Sequence, residues 1–177
     1  VVSKLENNMD FLCVTGVEDL LQDDVATTID NLRNAGMKVW MLTGDKVETA
    51  TCISISAGLK AKTHKIYTIK NDDIKSESNE SSKTPVNVLL RKFEEYKKKI
   101  NIDPHLFIID GDSLDLALKN LEEPFFKTAM QALSVVCCRC SLTQKRIIVK
   151  TIKKYTKART AAVGDGGNDV AMIQEAD

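Results

Sequence analysis

Thr160-Ala-Ala-Val-Gly-Asp-Gly-Gly-Asn-Asp169 is the stretch on which the reading of this chain turns. A short apolar run, Thr160 to Val163, passes at once into a glycine-rich turn carrying two aspartates and an asparagine. Val170-Ala-Met-Ile then opens a helix. Strand, tight polar turn and helix form half of a β-α-β unit, and the same order recurs upstream. Val135-Val-Cys-Cys138 reads as a strand, and Ser141 caps a helix running to about Tyr155. Leu106-Phe-Ile-Ile109 is a strand that ends at Asp110-Gly-Asp112, with Ser113 opening a helix and Pro124 starting another. Lys38-Val-Trp-Met-Leu42 is an apolar run followed by Thr43-Gly-Asp-Lys46 and a helix from Val47 to about Ala57, stopped by Gly58. Before it, Phe11 to Thr15 reads as a strand. A helix then carries Val25, Ile29 and Leu32, with Asp23 or Asp24 as cap and Ala35-Gly36 as its end. Strand followed by helix throughout predicts an α/β fold, a Rossmann-like, doubly wound parallel sheet.

One stretch departs from this rhythm. After a candidate strand from His64 to Ile69, the segment Lys70–Thr84 has a single aliphatic residue among serines, asparagines and charges, and reads as a disordered insertion. Val86, Leu89, Leu90, Phe93 and Ile100 then mark one face of a helix, whose other face (Arg91, Lys92, Lys97, Lys98, Lys99) reads as a solvated basic surface. The chain thus divides into a first part, 1–69, an insertion, 70–104 (disordered over 70–84, helical over about 85–100), and a second part, 105–177.

The 177 residues include 43% apolar ones, enough to bury a core and to exclude wholesale disorder. No apolar run approaches the roughly 18–20 residues of a bilayer span, and no secretory signal is visible. With 25 basic and 25 acidic residues the chain is formally neutral, which argues against a broad nucleic-acid surface. That neutrality has structure: Lys60 to Asp103 holds 11 basic and 7 acidic residues, leaving a mild acidic excess elsewhere. Five cysteines, an odd number, fit free thiols in a reducing compartment better than a disulfide framework. Cys137-Cys-Arg-Cys140 formally contains C-x-x-C, but neither His64 nor His105 stands in ligand spacing, so buried thiols are the reading preferred.

In a doubly wound sheet, the loops leaving the carboxyl ends of the strands share a ligand-binding crevice. The polar groups predicted there are Thr43, Gly44 and Asp45, then Arg139 to Lys145, and then the 164–169 loop. Asp165 and Asp169 suit a hard cation such as Mg²⁺, which typically takes one or two carboxylates with water and phosphate. The plainer alternative is a glycine-rich turn with Asp169 capping the last helix. A dinucleotide fingerprint fails, because Asp169 stands where its third glycine belongs. Thr43-Gly-Asp45 suits an anionic oxygen or, more plainly, caps the next helix. Lys145 offers a point charge to a phosphoryl group or is an ordinary surface lysine. Hydroxyl, lysine and paired carboxylates on successive strand ends make a phosphoryl-transfer constellation that lacks only its nucleophile.

These segments together resemble the phosphorylation domain of a P-type ATPase, within the haloacid-dehalogenase-like superfamily. Met41-Leu-Thr-Gly-Asp-Lys46 resembles the family's TGD motif, and Gly164–Asp169 its GDGxND hinge. Gly16-Val-Glu-Asp-Leu-Leu-Gln22, Leu32-Arg-Asn-Ala-Gly-Met-Lys-Val-Trp40, Lys46-Val-Glu-Thr-Ala50 and Cys137-Cys-Arg-Cys-Ser141 are similar to type IV, the phospholipid flippases. Glu48–Ile53 and Val136–Cys140 lean towards the branch that works without an accessory subunit.

The resemblance implies that Thr43 and Gly44 hold phosphoryl oxygens, that Asp45 lies on the nucleotide side and that Arg139 approaches the nucleotide. Lys145 would neutralise charge on the transferred group, and Asn168 would donate to it. Asp165 would bind Mg²⁺, and Asp169 would complete the metal shell or orient Lys145. It further implies ATP as substrate, and a multi-pass parent on the cytosolic face of a membrane, an endomembrane being favoured. That parent would carry a phospholipid substrate and nucleotide-binding, actuator and transmembrane domains. No DKTG acceptor sequence occurs here, so the chain by itself is expected to be inactive. Leu20 stands where flippases usually have Lys, and Leu142 where the R-x-S-P-x-Q-K pattern has Pro. A stand-alone haloacid-dehalogenase-like phosphatase, or a non-catalytic phosphate- or Mg²⁺-binding module, is the alternative.

Overall fold

The computed structural model describes residues 10–16, 20–61, 63–81, 83–100 and 105–177. Part of the Gly16–Gln22 cue, residues 17–19, lies outside them, as do residues 101–104 that close the expected insertion. The first elements are α1 (Val25–Asn34), β1 (Trp40–Leu42), α2 (Val47–Ser56) and β2 (Lys65–Ile69). Then come α3 (Asn71–Ser81), α4 (Pro85–Ile100), β3 (His105–Asp110), α5 (Gly111–Asn120) and α6 (Glu122–Ala129). The chain continues through β4 (Ser134–Cys138), α7 (Leu142–Thr156) and α8 (Val170–Glu175).

The strands form one sheet in the order β1-β4-β3-β2, and every pairing is parallel. Successive side chains of a strand point to opposite faces, so a strand covered on both sides must be apolar throughout. That is what β3 and β4 show: Leu106 to Ile109 and Val135 to Cys138 are all buried. Phe107, Ile109, Val135 and Cys137 join one cluster with Val88, Leu89, Phe93, Leu114, Phe125 and Ile148 of the helices. Leu106, Ile108, Val136 and Cys138 face the other way, onto Val47, Ala50 and Leu59, with Ile29 packed alongside. The doubly wound α/β architecture expected from the sequence is therefore present. Trp40 lies in the first cluster, edge-on to Phe125 with ring centroids 6.4 Å apart.

Several expectations need correction. The segment read as disordered, 70–84, is helical over Asn71–Ser81. Its lone aliphatic residue, Ile74, is fully buried, and Ser78 lies on the same face one turn later. Asp72 and Asp73 in its first turn complement the helix dipole, and Glu77 forms ion pairs with Arg91 and Lys92 of α4. Those pairs take up Arg91 and Lys92 of the basic face of α4, while Lys98 and Lys99 are exposed as expected, the Lys99 ammonium lying 5.1 Å from the centre of the Tyr67 ring.

Phe11–Thr15 and Thr160–Val163, both expected as strands, belong to no strand of the sheet. Phe11, Leu12 and Val163 stand in solvent at 81%, 89% and 92% exposure. A strand exists through its ladder, and neither segment pairs with any of the four strands of the sheet. Asp24 occupies the N-cap position of α1, but its side chain makes no capping bond. Among the described residues, no helix is long and apolar enough to cross a membrane.

Candidate phosphoryl-transfer site

β1 and β4 lie side by side, so the loops that leave their carboxyl ends meet. The Thr43 N–H donates to the Cys137 carbonyl at 3.0 Å, and the Cys140 N–H donates to the Thr43 carbonyl at 2.9 Å. The Arg139 N–H donates to the Asp45 carbonyl at 2.9 Å. Arg139 reaches this bond in the left-handed region, φ 50°, a conformation in which non-glycine residues need local support. Three backbone bonds thus lock the Thr43–Asp45 turn to the Cys137–Cys140 segment.

Within the first turn, the Thr43 hydroxyl donates to Asp45 Oδ2 at 2.7 Å, and the Asp45 N–H donates to Thr43 Oγ1 at 3.1 Å. Neither residue caps α2: its N-cap is Lys46, with no side-chain bond. The plain capping reading of Thr43 and Asp45 is therefore not what the fold does with them. Gly44, Asp45 and Arg139 are exposed, and Thr43 is half-buried.

The second group centres on Lys145. Ser141 accepts from the Gln144 N–H while Gln144 accepts from the Ser141 N–H, a capping box that sets the start of α7. Lys145, in that first turn, is only 4% exposed, and its ammonium donates to Asp169 Oδ1 at 2.7 Å. Asp169 is 7% exposed, so this is a buried ion pair rather than a surface lysine. The bond from Lys145 holds the Asp169 carboxyl below the ordinary carboxylate range, helped by backbone N–H groups of Gly166 and Asp165 and opposed by burial. Asp169 occupies the N-cap position of α8, yet its side chain makes no capping bond there. Close packing forces the glycine at 164, where a Cβ would lie 2.3 Å from Asp169 Cβ.

Asp165 and Asn168 are exposed on the same loop. No hydrogen bond or ion pair among the described residues joins this loop to Thr43 or Asp45. The two groups are connected through the short run from Arg139 to Lys145. Among the described residues, no group of three or more His, Cys, Asp or Glu could hold a metal ion. Asp165 stands as a single exposed carboxylate, whose chemistry suits a hard cation that also takes phosphate and water rather than an all-protein cage.

The thiols behave as core. Cys137 and Cys138 are fully buried and Cys140 nearly so. Burial pushes the Cys138 thiol up to about 12, so it stays protonated and unreactive.

Two further residues matter that sequence reasoning passed over. Asp110 caps α5 by accepting from the Ser113 N–H at 2.8 Å, and it also accepts from the Asn71 N–H at 2.8 Å. Gln144 Nε2 donates to the Gly111 carbonyl at 2.7 Å. A glycine directly after a buried strand was the available signal for the first. The S-x-x-Q spacing announced the cap but not the longer contact.

No protein-family model matches the chain. Relatives align along it from end to end. It is 47% identical over 177 residues to a human protein called probable phospholipid-transporting ATPase IIB. Over 178 residues it is 44% identical to the phospholipid-transporting ATPase NEO1 of Saccharomyces cerevisiae. Over 173 residues, 97% of the chain, it is 42% identical to probable phospholipid-transporting ATPase tat-5 of Caenorhabditis elegans. The chain spans only 14–15% of the length of these relatives.

Proposed function

Because this chain belongs to the type IV P-type ATPases, the phospholipid-transporting family, we propose that it forms part of the phosphorylation domain of an ATP-driven lipid translocase. The parent is an integral membrane protein with this part on the cytosolic face, and it passes through an aspartyl-phosphate intermediate. One observation carries the reading: a buried Lys145–Asp169 pair stands directly beside an exposed Asp165 loop, at the carboxyl edge of a parallel sheet.

In this reading the γ-phosphoryl group of ATP passes to a carboxylate outside this chain. An acyl-phosphate bond forms as the bond to ADP breaks, and water later hydrolyses the acyl phosphate. Thr43 and Gly44 hold phosphoryl oxygens, the Thr43 hydroxyl turning from Asp45 to donate to them. Asp45 lies on the nucleotide side and Arg139 approaches the nucleotide. Lys145, oriented by Asp169, neutralises charge that develops on the transferred group, and Asn168 donates to the same oxygens. Asp165 is the residue that binds Mg²⁺. When bound, the ion offsets negative charge on the phosphate oxygens.

The test is Asp165→Asn in the full-length parent. Phosphoenzyme formed from ATP is expected to fall sharply, with partial recovery at high Mg²⁺. Wild-type phosphoenzyme levels at low Mg²⁺ would remove Asp165 from this role. The purified 177-residue chain should show no Mg²⁺-dependent ATP turnover, and measurable turnover would contradict the placement of the acceptor outside it.

A further inference from the structure

Gln144 immediately precedes Lys145, and its carboxamide is engaged at both ends. Its Oε1 accepts from the Ser141 N–H at 2.9 Å, which completes the cap of α7. Its Nε2 donates to the Gly111 carbonyl at 2.7 Å, in the turn that follows β3. That turn is itself held, because Asp110 accepts from both the Ser113 and the Asn71 N–H groups. It also lies against the Arg139 loop: a Cβ on Gly111 would sit 2.3 Å from the Arg139 carbonyl oxygen. One side chain therefore ties the first turn of α7 to a fixed piece of backbone touching the other half of the site.

Consecutive residues of a helix are about 100° apart around its axis. Gln144 facing Gly111 thus sets the rotation that turns Lys145 towards Asp169. Leu142, at the first helical position, brings no ring constraint of the kind proline supplies there. The carboxamide bond to Gly111 adds to the Ser141 cap a tie from this turn to a distant part of the chain.

We infer that Gln144 is a positioning residue for phosphoryl transfer, acting through its bond to Gly111 to hold Lys145 in register with the Arg139 loop. The inference rests on the function proposed above. A purely structural cap would need only Oε1; register needs Nε2 as well.

The two roles separate by substitution in the full-length parent. Gln144→Glu keeps an acceptor for the Ser141 N–H but cannot donate to Gly111. Gln144→Met is neutral, similar in size, and loses both bonds. Melting temperature, ATP KM and the rate of phosphoenzyme formation at saturating ATP are measured for each. Gln144→Glu should melt close to wild type and form phosphoenzyme roughly tenfold more slowly, the size of one net hydrogen bond, with a smaller change in KM. Gln144→Met should show the same rate loss together with a lower melting temperature. A wild-type rate in either variant overturns the inference, including the case in which only the charged substitution is slow. Absence of any phosphoenzyme in the wild-type parent would instead overturn the proposed function, and this inference with it.

Discussion

The Lys145–Asp169 pair concentrates the energetics of the site. Both side chains are nearly out of solvent, at 6% and 10% exposure. Removing one member strands the other, and breaking such a buried pair costs about 3–5 kcal/mol. Asp169→Ala is therefore expected to lower unfolding free energy by that order, measured by chemical denaturation. Lys145→Met combined with Asp169→Ala should cost less than the sum of the two single changes. The pair also sets a pH dependence. Asp169 has its folded-state pKa held below its ordinary value of 3.8, so its contribution is fully present above that value and is lost as pH falls through the lowered one. The stability difference between the wild type and Asp169→Asn should be constant near neutrality and shrink on acidification below the ordinary carboxylate range. A difference that grew there would contradict the sign. None of this was legible at Lys145 alone, since an isolated lysine in a sequence reads as exposed. Only its position in the first turn after the Ser141 cap pointed towards the crevice.

Among the elements, α3 shows how little apolar content a helix needs when its neighbours supply the rest. Ile74 is the single aliphatic anchor, the Asn71 N–H is taken by Asp110, and Glu77 pairs with two cations of α4. Ile74→Ala should increase hydrogen exchange along 71–81 selectively, leaving β3 and β4 protected; uniform loss of protection would contradict this local account. The α5 start is equally specific. Gly111→Ala forces a Cβ onto the Arg139 carbonyl, and overpacking of this kind costs about 1–3 kcal/mol. The melting temperature of that variant checks it. Elements with strong local signals were readable from sequence: the α7 cap from Ser141, and β3 and β4 from unbroken apolar runs. α3 was not, because its helicity depends on partners distant in the chain.

At the scale of the whole molecule, the sheet presents β1 as an open edge, while Phe11, Leu12 and Val14 stand in solvent at more than 80% exposure. An unpaired edge together with exposed apolar side chains favours association. The purified chain should therefore self-associate with rising concentration in sedimentation, and replacing Phe11 and Leu12 by polar residues should reduce this. A monomer at all concentrations would count against it. The apolar patterns of Phe11–Thr15 and Thr160–Val163 read as strands and are not strands, because a ladder needs a neighbour and pattern alone does not supply one. By itself the sequence determined the α/β class, the alternation of strands and helices, and the residue types gathered on the carboxyl rim. Those follow from periodicity, caps and glycine turns, which act between residues a few positions apart. Tertiary structure alone decided that Lys145 is buried against Asp169, that α3 is a helix, and that Gln144 reaches Gly111. These contacts join residues 24, 39 and 33 positions apart, and distances of that kind are set by how the sheet folds, not by any local pattern.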